Sequence, residues 1–189
     1  SDPTNPHDTA RTIIEKSSLH DTLSPDSKVA LIREMVGMYQ MVATITGGSR
    51  VMLDLRVERQ RGFIEHYHVD YGTAAILALV GPGTHFVSRD NLPPDWDGTF
   101  FRDDLKDPQK VFEVPTRSIL FMRGKSDSPS EESDYTRGLW HASPPKTWGG
   151  KEQWSERVVV IVTTPEAEIR KPSHEQARSL FPSALRMSA

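Results

Sequence analysis

The sequence predicts a mainly β domain with flanking helices, and three observations predict it. Several short segments alternate apolar and polar residues with period two, one long segment follows a helical period, and glycine, proline and aspartate punctuate the intervals. At 189 residues with 36% hydrophobic side chains, the chain suits a single domain over 1–189 with a sizeable core.

Residues 1–24 are polar and turn-rich and read as an irregular N-terminal segment. The first element opens at Ser24-Pro25-Asp26, with Ser24 as N-cap and Pro25 in the first turn. Val29, Leu31, Ile32, Met35, Val36, Tyr39 and Val42 then recur at helical spacing, which predicts a helix over 25–45 packed on one face of a sheet. Met35, Met38 and Met41 read as packing residues, and Gly47-Gly48 ends the helix. Next, Val51, Leu53, Leu55 and Val57 alternate with Met52, Asp54, Arg56 and Glu58, a half-buried strand that begins a β core over 50–163. Further strands are expected near 63–71, 74–80, 84–88, 110–114, 118–123, 138–142 and 157–163, enough for a sandwich or a partly open barrel. Gly81-Pro82-Gly83 is a tight connection; no helix start follows it, so it does not read as a phosphate cradle. Two polar stretches, 89–107 and 125–137, are expected to flank a mouth, and 164–189 reads as a tail with a short helix from about Ser173 to Leu180.

Composition removes several classes of function. A net charge of -3 and a pI of about 6.2 give no basic field for nucleic acid. No apolar run approaches the roughly 20 residues that cross a bilayer, and Ser1-Asp2-Pro3-Thr4-Asn5-Pro6 does not read as a signal peptide. The expectation is a soluble, cytoplasmic protein without a membrane partner. With no cysteine, any metal must be held by nitrogen and oxygen.

The sharpest candidate site is His68, Asp70 and His141. In an extended strand, residues i and i+2 share a face, so His68 and Asp70 can reach one ion while Val69 points away. His141, within Leu139-Trp140-His141-Ala142-Ser143, closes the triangle. Two imidazoles and one carboxylate leave other positions of a metal open, the arrangement associated with non-haem Fe(II) oxygenases. His66 falls on the same strand face; a fourth ligand is one reading, and orienting the carboxylate or standing at the rim ranks above it. Trp140, Trp148 and Trp154 are expected mainly to pack, and Tyr71 and His85 are weaker pocket candidates. His7, His20 and His174 lie in polar stretches and are expected to be exposed.

Tyr67-His68-Val69-Asp70-Tyr71, Gly81-Pro82-Gly83-Thr84, Arg123-Gly124, Gly138 through Pro145 and Arg157, in this order, resemble the bacterial domain of unknown function numbered 1826, over roughly 50–163. That family implies organisation without chemistry. The chain departs from its pattern at Tyr67, where phenylalanine is expected, and at Arg123, where lysine is. More broadly, strand-borne His-x-Asp, a distal histidine and a basic residue at the last strand are similar to the double-stranded β-helix (jelly-roll, cupin-like) oxygenases that use Fe(II) and 2-oxoglutarate. That similarity implies a jelly-roll core, a C–H-oxidising dioxygenase acting on a small-molecule, carrier-bound or peptide substrate, and an arginine for the far carboxylate of 2-oxoglutarate. Arg157 is the first choice for this cofactor-binding role and Arg123 the second. The same ligands also suit a cupin-like zinc-handling or sensing module without turnover, or a hydrolase or isomerase using metal-activated water.

Overall fold

A computed structural model describes residues 5–47, 50–59, 66–70, 72–93, 100–123, 138–148 and 151–164. The chain opens with a helix that the N-terminal polarity concealed. Asn5 accepts the His7 N–H at 3.0 Å and Pro6 occupies the first turn, starting α1 (Pro6–Lys16). This corrects the expectation of an irregular N-terminal segment for residues 6–16, while 17–24 hold turns and bends. Only Ala10 and Ile14 of α1 are buried, too few apolar positions for periodicity to register, yet they suffice to seat the helix on its neighbour. The second helix, α2 (Pro25–Ile45), has the expected bounds, with Ser24 Oγ accepting from Ser27 N at 3.1 Å.

Among the described residues nine strands follow: β1 (Met52–Glu58), β2 (Thr73–Val80), β3 (His85–Val87), β4 (Phe112–Glu113), β5 (Ile119–Arg123), β6 (Trp140–Ala142), β7 (Thr147–Trp148), β8 (Lys151–Glu152) and β9 (Arg157–Thr163). They form an antiparallel sheet in the order β1-β9-β2-β5, a smaller antiparallel sheet β4-β3-β6, and a short hairpin β7-β8. The smaller sheet continues past β6 through bridges His68↔His141 and Tyr67↔Phe100. Residues 63–65 and 71 of the expected strand, the loop 125–137 and the tail from 165 onward lie outside the described residues.

Each face of the large sheet has a distinct role. Leu53, Leu55, Ala75, Leu77, Val160 and Val162 meet Ile14, Met35, Met38 and Val42 of the two helices. Each fully buried aliphatic side chain there contributes roughly 1.5 to 3 kcal/mol. The opposite face carries Ala74, Ile76, Met122 and Val159 in a second cluster, and it looks toward the metal-ligand candidates. A third cluster, with Tyr67, Val69, Val87, Leu92, Phe100, Leu105 and Trp140, covers the other side of the small sheet. Leu92, Phe100 and Leu105 of the 89–107 stretch therefore pack behind that sheet rather than at a mouth, whereas Phe101 is exposed beside His66.

Candidate metal centre

Period-two geometry sorts the side chains of the 67–70 segment between two faces. Tyr67 and Val69 turn into the third cluster, leaving His68 and Asp70 on the opposite side. His141 is locked beside His68 by reciprocal backbone bonds of 3.0 Å, the two imidazole centroids lying 4.4 Å apart. Gly138 makes this approach possible, since a Cβ there would overlap Val69 Cγ1. His68 Nε2 stands 3.5 Å from Asp70 Oδ1 and His141 Nε2 stands 3.4 Å from Asp70 Oδ2. One ligand atom from each residue lies within 4.8 Å of the other two.

The outward ring nitrogens settle the tautomers. His68 Nδ1 is 3.0 Å from the His66 carbonyl oxygen, and His141 Nδ1 is 3.0 Å from that of Leu139. A carbonyl only accepts, so each Nδ1 carries a proton and donates it. In the neutral imidazole, Nε2 then presents a lone pair. Burial, reinforced by His141 and opposed by Asp70, lowers the His68 pKa to about 4, which keeps that ring neutral at neutral pH. The neutral His68 Nε2, the His141 Nε2 and the Asp70 carboxylate converge on one point, where a cation would find three nitrogen and oxygen ligands. Nitrogen and oxygen ligands at about 2.0–2.2 Å from an ion stand roughly 3 Å or a little more from each other, close to the observed spacing. The residues fit a divalent transition metal.

The three ligand candidates border a cavity of about 510 Å³. Its other wall is the inner face of β1 and β9, including Arg56, Glu58, Arg157, Val159 and Ile161. Arg157 is 2% exposed and clamps several segments together. Its Nε donates to Pro82 O, Nη1 to Glu58 Oε2 (2.9 Å) and Ser143 Oγ, and Nη2 to Thr84 Oγ1. The Gly81-Pro82-Gly83-Thr84 turn is thus an arginine cradle. Gly81 has φ +76°, and a Cβ on Gly83 would overlap Val114 O. Arg123, the other basic candidate, is exposed at the end of edge strand β5 and does not line the cavity.

His66 stands beside the centre, its ring 5.6 Å from that of His68 and 6.2 Å from Phe101, but outside the three-residue cluster. Its pKa is lowered by burial. Trp140 and Trp154 are core residues, and His85 is buried beside Glu113, its Nε2 3.7 Å from Oε2. Tyr71 lies outside the described residues. Sequence reasoning passed over Arg56 and Glu58 as the polar side of an alternating strand; their pairing with Val159 and Arg157 turns that side to the cavity.

No described helix is long and apolar enough to cross a membrane. A search of curated proteins finds no match. The family described as "Protein of unknown function (DUF1826)" matches residues 2–160, which takes in both helices and the strands up to the first half of β9, and the chain belongs to that family.

Proposed function

We propose that this protein is a non-haem Fe(II)-dependent oxygenase, on a double-stranded β-helix core, that uses 2-oxoglutarate to oxidise a C–H bond of a small-molecule, carrier-bound or peptide substrate. The observation that carries the reading is the convergence of His68 Nε2, His141 Nε2 and the Asp70 carboxylate at the edge of a substrate-sized cavity. Iron held there would supply dioxygen activation. The chain's own groups fix the rest. Carbonyls of His66 and Leu139 orient the imidazoles, the 68–141 bridge sets their separation, and Val159 and Ile161 give the substrate an apolar wall. In favour of the jelly roll, the large sheet alternates strands from opposite ends of the chain, β1-β9-β2-β5, and the small sheet interleaves the 67–68 segment with β6, β3 and β4.

A metal-binding module without turnover, for zinc handling or sensing, is the second reading. It is favoured by the Glu58–Arg157 pair, which already satisfies the guanidinium expected to meet 2-oxoglutarate. Anaerobic purification with metal analysis, then titration of the Fe(II) protein with 2-oxoglutarate, separates the two. A metal-to-ligand charge-transfer band and succinate formation support the oxygenase; bound zinc with neither signal supports the module.

A further inference from the structure

Among the described residues the cavity holds two arginines with opposite degrees of commitment. On β1 its wall carries Asp54, Arg56 and Glu58, opposite Ile161, Val159 and Arg157 of β9. A guanidinium has five N–H donors. Arg157 spends all but one of them on Pro82, Glu58, Ser143 and Thr84, and its charge is matched by a Glu58 side chain only 5% exposed. Arg56 donates from Nε to Asp54 Oδ2 at 2.7 Å. Among the described residues its Nη1 and Nη2 hydrogens have no partner, on a side chain 34% exposed. The two parallel N–H groups that grip a carboxylate are therefore available on Arg56 and consumed on Arg157.

We infer that Arg56 receives the carboxylate of an organic acid bound in the cavity, and that Arg157 is a positioning residue for the wall around it. This rests on the reading of the cavity as the ligand site beside the metal. Arg56 stands two positions along β1 from Glu58, about 7 Å at the strand rise. The acid's carboxylate would sit at Arg56 with its carbon chain across Val159, Ile161 and Ile76, which adjoin Arg56 and Asp54 on the same face. Asp54 holds Nε and so aims the Nη edge, while its negative charge weakens the capture of a second carboxylate.

The test is calorimetric titration of the Zn(II)-loaded protein, which reads binding without turnover, using 2-oxoglutarate, glutarate and 2-oxobutyrate. The last keeps the 2-oxo acid head and lacks the far carboxylate. In Arg56→Met, the two dicarboxylates should bind about tenfold or more weakly while 2-oxobutyrate binds as to wild type. Asp54→Asn should tighten both dicarboxylates. Metal content and melting temperature, measured in each variant, show that the scaffold is intact. Equal dicarboxylate affinity in wild type and Arg56→Met, or no dicarboxylate binding to the wild type, overturns the inference. If neither 2-oxo acid binds but glutarate does so in an Arg56-dependent way, the co-substrate reading fails and the role of Arg56 stands.

Discussion

His68, Asp70 and His141 each offer one ligand atom, so removal of any one should open the proposed centre. Alanine at His141 should abolish stoichiometric divalent-metal binding, whereas alanine at exposed His7 should not change it; full occupancy in the His141→Ala protein would sink the triad. The buried rings also set an acid response. His68 and His85 both have pKa values lowered to about 4, burial being the largest cause in each. Unfolding restores ordinary values near 6.5, so between pH 6.5 and 4 the unfolded chain binds more protons, and stability falls as pH drops through that window. The metal-free protein's urea midpoint should be level above pH 7 on account of these groups and decline steadily below 6.5. Tyr67 offers the opposite case, a 1% exposed ring whose hydroxyl has no hydrogen-bond partner among the described residues. Tyr67→Phe removes that unpaired polar atom at nearly constant volume and should stabilise by about 1 kcal/mol in urea unfolding.

At the level of elements, the glycines divide by what a methyl group would meet. Gly83 lies against Val114 O, and displacing it would move Thr84 and Pro82 away from Arg157, so Gly83→Ala should cost roughly 2 kcal/mol or more. Gly37 of α2 has open space around its Cα and sits in a helix interior, so Gly37→Ala should raise stability by about 0.5 to 1 kcal/mol. Thermal melts of the pair give changes of opposite sign. The same elements show what a sequence can disclose. Capping and a long apolar period made α2 legible to the residue, and period two brought His68 and Asp70 together. The Asn5-Pro6 signal for α1 matches Ser24-Pro25 in kind, but only two buried positions back it. Strands β7 and β8 are two residues each, too short for any alternation. Arg56 and Glu58 were illegible as cavity residues because their face is set by pairing with β9, a hundred residues away, not by neighbours on β1.

For the whole molecule, the Glu58–Arg157 pair joins the first strand to the last, with both side chains 5% exposed or less. Arg157→Leu leaves a buried carboxylate without its partner and should cost about 3 to 5 kcal/mol, whereas the double change with Glu58→Leu should recover much of that loss. Urea unfolding of the three variants measures it, and additive losses would deny the coupling. Metal should act on the same global equilibrium. At a free concentration a hundredfold above its dissociation constant, an ion that binds only the folded chain adds about 2.7 kcal/mol, and the gain should vanish in Asp70→Ala. The strand order also dictates when any of this can happen in the life of the protein. Because β9 lies between β1 and β2, and His141 follows His68 only after most of the chain has been made, a ribosome-bound fragment ending before residue 141 holds at most two of the three ligands and has no completed sheet to hold them. If an ion is bound as proposed, its capture waits until β6 and β9 have been made and have paired with their neighbours, so the ion enters a pocket already shaped.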